Sequence, residues 1–162
     1  HLDLALDTSN NFSKALVKMI RNKDYYPIIN GTKITDRKKL IEDILYIGVG
    51  NLERIKEYSI LIQQKKNDLS INAYNKKREI ENKSHKDYIM ERYDNPNQLH
   101  RLEVRINSDA MKDFFTREHI EYDPSMFIND DWLWLFYLTF LNRVIRFQAV
   151  KGRKVYGVMD LI

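Results

Sequence analysis

Leu69-Ser70-Ile71-Asn72-Ala73-Tyr74-Asn75-Lys76-Lys77-Arg78-Glu79 is the stretch whose reading decides the fold. Through Lys76 its side chains alternate: Ile71 and Ala73 on one side, Asn72, Tyr74 and Lys76 on the other. A period of two is the mark of a strand with one buried face. A cluster of cations follows. A second alternating segment, His100 to Ile106, sets Leu102, Val104 and Ile106 against Arg101, Glu103 and Arg105. A third, His1 to Asp7, sets Leu2, Leu4 and Leu6 against Asp3, Ala5 and Asp7. If the apolar faces lie on one side of a sheet, the Asp, Tyr, Lys, Glu and Arg side chains meet on the other. This requires the strands to be neighbours, which alternation alone does not establish.

Around these strands, Asp7-Thr8-Ser9-Asn10-Asn11 supplies capping chemistry for a helix from about Phe12 to Asn22. Tyr25–Ile29 reads as a short strand closed by Asn30-Gly31, a tight-turn pair. Residues 36–42 are charged and ambiguous. Ile44–Ile47 reads as a strand closed by Gly48-Val49-Gly50, which lacks the further residues of a nucleotide loop. Tyr58–Ile62 reads as a strand, and residues 79–96 as a helix and then a loop through Asn95-Pro96-Asn97. Ser108-Asp109 caps a helix through Phe114 and Phe115. Asn129-Asp130-Asp131 caps a long apolar helix, Trp132–Gln148, and Val155–Ile162 adds a last strand. The expected class is α+β, a mainly antiparallel central sheet flanked by helices. Residues 1–120 form the core of the domain, and 121–162 pack on that same domain as a C-terminal helix and strand.

The 162 residues suit one domain, and 43% are apolar, enough for a core. There is no cysteine, which excludes disulfides and thiolate metal sites and fits a cytoplasmic protein. No apolar run reaches membrane-spanning length, no secretory signal is visible, and no membrane partner is expected. His1 already lies inside a strand pattern without an initiator methionine, so the chain reads as a fragment. The net charge is +4, and Lys65, Lys66, Lys76, Lys77, Arg78, Lys83 and Lys86 lie close together in sequence. Such a run attracts phosphate, although a solvated hairpin would carry it as well.

The polar faces carry specific chemistry. Clustered carboxylates repel, and a hard divalent cation relieves the repulsion; Mg²⁺ or Mn²⁺ fits Asp3, Asp7 and Glu103. Tyr74 would attack a phosphodiester, giving a phosphotyrosine link and a free 3′ hydroxyl. Lys76 or a nearby arginine would steady the developing charge. A phenol ionises near pH 10, so it needs a metal, a cation or a base beside it to act at neutral pH. Plainer accounts exist. Leu/Asp alternation suits any exposed strand, tyrosine is a favoured strand residue, and Glu103 between Arg101 and Arg105 is also a surface ion-pair stripe. The histidines His1, His85, His100 and His119 show no metal-ligand spacing.

Taken in order, these segments resemble plasmid rolling-circle replication initiators of the Rep_trans type and the related relaxases of integrative conjugative elements. The first strand, His1-Leu2-Asp3-Leu4-Ala5-Leu6-Asp7, is similar to the family's Asp-x-Ala-x-Asp strand, with histidine where the family has arginine. Tyr46-Ile47-Gly48-Val49 is similar to its tyrosine-phenylalanine-glycine strand. Ala73-Tyr74-Asn75-Lys76-Lys77 resembles the strand that carries the nicking tyrosine. Leu102-Glu103-Val104-Arg105 and the aromatic pair Phe114-Phe115 follow in the same order. The resemblance covers roughly residues 1–120. It implies Tyr74 as nucleophile, Asn75 and Lys76 as supporting groups, and Asp3, Asp7 and Glu103 on the metal side. It further implies an HUH-like sheet without the two-histidine motif, a single-stranded or cruciform DNA origin as target, a homodimer, and a host helicase as partner. Lys65, Lys66, Lys77, Arg78, Arg101 and Arg105 are the expected DNA-binding cations. The alternative is a DNA-binding or dimerisation module of a replication protein that does not cut.

Overall fold

A computed structural model describes residues 1–36, 46–47, 59–63 and 69–161. In chain order it opens with β1 (Leu2–Thr8), α1 (Phe12–Arg21), β2 (Tyr25–Ile29) and β3 (Thr32–Lys33). Then come β4 (Tyr46–Ile47), β5 (Ile60–Gln63) and β6 (Leu69–Asn75). An arm follows, made of α2 (Lys76–Glu79), a π-helical turn (Ile80–Ser84) and α3 (Asp87–Arg92). The chain continues through β7 (His100–Ile106), α4 (Ser108–Glu118), a 3-10 turn (Pro124–Ile128) and α5 (Asp130–Val144). It ends with β8 (Ile145–Ala149), β9 (Val155–Tyr156) and a 3-10 turn (Val158–Asp160).

The expected α+β class holds, and the alternating segments are neighbours. One antiparallel sheet runs in the order β1-β7-β6-β5-β4, with β7 between the other two segments that the alternation singles out. Because β1 and β6 both run against β7, their C-terminal ends lie at the same end of the sheet. The apolar faces do coincide. Leu102, Val104, Ile106, Ile71, Ala73, Ile60 and Ile62 are at most 1% exposed. They pack against α1, α4 and α5 in a single core, where Phe114 meets Phe136 edge to face at 5.5 Å.

The second sheet, β3-β2-β8-β9, departs from expectation. The apolar pattern carries the long helix to Gln148, yet α5 stops at Val144 and Ile145 turns fully extended, at φ −144° and ψ 135°. Ile145-Arg146-Phe147-Gln148-Ala149 alternates as well as it spirals, and β2 offers an edge to pair with. Tertiary pairing overrides the helical continuation. The last strand is also shorter than Val155–Ile162: it covers Val155–Tyr156 and gives way to a 3-10 turn. The Asn142 carboxamide accepts from the Val158 amide at 3.3 Å, and a Cβ at Gly157 would lie 2.6 Å from Asn142 Oδ1, so a larger residue there would displace that carboxamide. The expectations for residues 37–45, 48–58 and 64–68 lie outside the described residues.

The tyrosine strand ends one residue early. The Asn75 carboxamide accepts from the Arg78 amide at 2.9 Å and caps α2, so Lys76 opens a helix instead of closing a strand. The amides of Lys76 and Lys77 both bond the Leu99 carbonyl, at 2.8 and 3.1 Å. The arm has its own small apolar cluster of Ile80, Met90 and Leu99. Among the described residues no helix is long and apolar enough to cross a membrane.

Candidate functional site

The polar faces meet as the alternation requires, and pairing fixes them in three rows across β1, β7 and β6. The rows are Asp7, Arg101, Tyr74; then Ala5, Glu103, Asn72; then Asp3, Arg105, Ser70. Directly opposed side chains on one face lie about 5 Å apart and interact. The face is half-buried at the first row and exposed at the third.

In the first row Arg101 grips Asp7 with two bonds, Nε and Nη2 each 2.6 Å from a carboxylate oxygen. Tyr93, from the end of α3, donates its hydroxyl to Asp7 Oδ2 at 3.3 Å. Arg101, which stands opposite Tyr74 in the same row, favours the ionised form of its phenol. Tyr74 Oη lies 3.4 Å from Glu103 Oε2, at the long end of hydrogen-bond reach. Burial, with the Glu103 charge second, pushes the Tyr74 phenol up to about 12; Arg101 pulls the other way and loses. The Asp7 hydrogen bond holds Arg101 above its ordinary value, so it is a permanent cation. At neutral pH the site therefore sets a neutral phenol beside a guanidinium, with the Glu103 carboxyl group 3.4 Å from the phenol oxygen.

Lys76 stays near Tyr74 without sharing its face. Its ammonium is 5.8 Å from the ring centroid and pairs with Glu79 at 2.5 Å, while the residue itself is 5% exposed. Burial works against the Glu79 charge, but the Lys76 hydrogen bond and charge outweigh it and hold that carboxyl below its ordinary value.

The third row is looser. Arg105 bonds Asp3 at 2.9 and 3.3 Å and approaches Glu103 Oε1 at 3.7 Å, and His1 comes within 3.5 Å of Asp3. Asp3 and Asp7 sit four residues apart on one strand, so their Cα atoms are about 13 Å apart. A hard ion binds carboxylate oxygen at about 2.1 Å, so one ion cannot join both aspartates. The three acids therefore do not close into one centre, and among the described residues no three metal-ligating side chains cluster. Glu103 stands diagonally between the two aspartates, so it can share an ion with either one if that aspartate's arginine turns away.

The expected cations divide by location. Arg101 and Arg105 lie on the charged face; Lys65 and Lys66 lie outside the described residues. Lys77 and Arg78 line a polar cleft of about 570 Å³ at the end of the sheet, on the other side of β6 from the Tyr74 phenol. Asn75 lines it too, besides capping α2. The sequence reading missed three contacts: Arg101 acting on the phenol, Tyr93 reaching Asp7, and Glu79 holding Lys76. Only the last had a sequence signal, an i, i+3 pair of opposite charge. The chain matches no protein-family model, no curated protein and no solved structure.

Proposed function

We propose that this chain is the nicking domain of a rolling-circle replication initiator or relaxase of a mobile element, cutting and rejoining one DNA strand through Tyr74. The observation that carries the reading is the Tyr74 hydroxyl 3.4 Å from the Glu103 carboxylate, on the polar face of the sheet and in the same row as Arg101. Tyr74 Oη attacks the scissile phosphorus, and Glu103 takes the phenol proton. The bond from phosphorus to the 3′ oxygen breaks, and that oxygen takes a proton from solvent. The products are a 5′-phosphotyrosine and a free 3′ hydroxyl. Rejoining is the reverse: the 3′ hydroxyl attacks, and the departing phenol recovers its proton from Glu103. Arg101, opposite Tyr74 in the same row, would offset the negative charge that builds on the phosphate oxygens. A bound Mg²⁺ or Mn²⁺, shared by Glu103 and one aspartate, would supply Lewis-acid polarisation of the phosphate. The reading places the protein in the cytoplasm with an origin DNA, a second copy and a host helicase as partners.

The test is incubation of the full chain with single-stranded and cruciform origin candidates, with Mn²⁺, Mg²⁺ or EDTA, followed by denaturing electrophoresis. A covalent adduct that disappears in Tyr74→Phe is the expected result. An adduct that survives Tyr74→Phe overturns the assignment of the nucleophile.

One observation favours the second reading, a module that binds DNA or dimerises without cutting. The surroundings of Tyr74 push its phenol up to about 12 instead of lowering it, and both arginines of the face already hold aspartates. Salt-dependent DNA binding with no adduct under any divalent cation is the outcome that selects it.

A further inference from the structure

We infer that the cleft at the end of β6 binds one nucleotide of single-stranded DNA, its phosphate against Lys77 and Arg78 and its base edge against the carboxamides of Asn97 and Gln98. The inference rests on the DNA reading above and adds a subsite that the nicking chemistry does not use.

The cleft's volume, about 570 Å³, lies within the range of small-molecule sites. Besides Lys77 and Arg78 its lining contains the carboxamides of Asn11, Asn82, Asn97 and Gln98. A carboxamide both donates and accepts, which is what an unpaired base edge presents in return. Single-stranded nucleic acid is the form that exposes such edges. Glu81 also lines the cleft. It can accept from an exocyclic amino group and repels a second phosphate, which limits the site to one nucleotide.

The walls are held before anything binds. Asp94 and Asn95 sit in the left-handed region, at φ 55° and 50°, and the Asn95 amide bonds the Met90 carbonyl at 2.9 Å. Lys77 Nζ donates to the Pro96 carbonyl at 3.3 Å and ties this loop to α2. Asn97 and Gln98 are exposed, so their side chains are available to a ligand. Tyr74 and Asn75 are consecutive in β6 and face opposite sides of the sheet. A DNA strand folded over this end of the sheet therefore meets the phenol on one side and the cleft on the other, with a base near the cut held in the cleft.

The probe is a randomised pool of short single-stranded DNA, bound to the full chain in EDTA and sequenced after selection. Asn97→Ala with Gln98→Ala is expected to erase the base preference at one position, a loss of about tenfold in discrimination. Lys77→Gln is expected to weaken all sequences alike and to lower the salt slope by about one, with partial recovery in Lys77→Arg. A double variant that keeps the wild-type preference overturns the inference. So does a change seen with RNA or peptide ligands and not with DNA. Thermal melting of each variant, expected to match wild type, separates lost contacts from lost folding. Covalent adduct formation is read separately. Adducts with an unaltered preference in the double variant sink the cleft and leave Tyr74 standing; a lost preference without adducts does the reverse.

Discussion

Asp7–Arg101 and Asp3–Arg105 are the same chemical pair placed at opposite ends of one three-stranded ladder. At the Asp7 end the side chains are 6% and 18% exposed, and both bonds measure 2.6 Å. At the Asp3 end they are 36% and 57% exposed, and the bonds are 2.9 and 3.3 Å. Removing water makes an ion pair tighter and makes its loss more costly. The Asp7 end also accepts a hydrogen bond from Tyr93 and stands in the same row as Tyr74, so its charges are part of a network. Residue type thus does not say which end is the more tightly held; burial does.

The largest effect that would test this contrast is on stability. Asp7→Asn leaves the Arg101 guanidinium largely desolvated beside a neutral amide and should cost about 3 kcal/mol in denaturant unfolding. Asp3→Asn should cost about 0.5 kcal/mol or less. Equal losses would erase the difference between the ends. Double-mutant cycles sharpen it: the Asp7/Arg101 coupling should reach about 2 kcal/mol, while that of Asp3/Arg105 should stay below about 0.5 kcal/mol.

The tyrosine gives a test with a sign. Glu103 raises the Tyr74 phenol and Arg101 lowers it. Glu103→Gln should therefore bring its titration down towards the ordinary value, and Arg101→Gln should send it higher, both read by tyrosinate absorbance against Tyr74→Phe. If Glu103 is the proton acceptor, Glu103→Gln also lowers adduct yield although its phenol ionises more readily. A yield that rises would restrict Glu103 to an electrostatic role. The same shift links to stability. The folded state favours the neutral phenol, so this contribution is complete below pH 10.0 and is lost as pH rises through about 12. Wild type should lose stability relative to Tyr74→Phe across that window. The smallest effect is ionic: added salt should weaken the Arg105 pair by a few tenths of a kcal/mol and leave the Arg101 pair nearly unchanged.

Much of this arrangement was legible in the chain. Leu2/Leu4/Leu6, Leu102/Val104/Ile106 and Ile71/Ala73 gave the buried face, and parity placed Tyr74 and Glu103 together opposite it. Parity does not say which residues stand in the same row, so the pairing of each aspartate with an arginine could not be read. That pairing adds a guanidinium partner to each aspartate, Arg101 to Asp7 and Arg105 to Asp3, which strand alternation does not reveal. β8 was hidden because Ile145, Phe147 and Ala149 satisfy a strand while Val144, Ile145 and Gln148 still satisfy a helix; only β2 decides between them. Asn75 read as a supporting polar group because its side chain looks functional in either setting. Its bond to the Arg78 amide, at the capping distance of three residues, was a signal available in the sequence. The cleft could not be foreseen, since Asn11, Asn82 and Asn97 come from three separate segments.

The strict alternation of β6 also governs which changes of length the protein can survive. Deleting or inserting a single residue between Leu69 and Tyr74 would turn Tyr74 into the space of Ala73, which is fully buried, and bring isoleucine out to water. A change of two residues would restore each side chain to its side and merely shift the rows. Families of length variants made in this strand should therefore fold in an odd–even pattern.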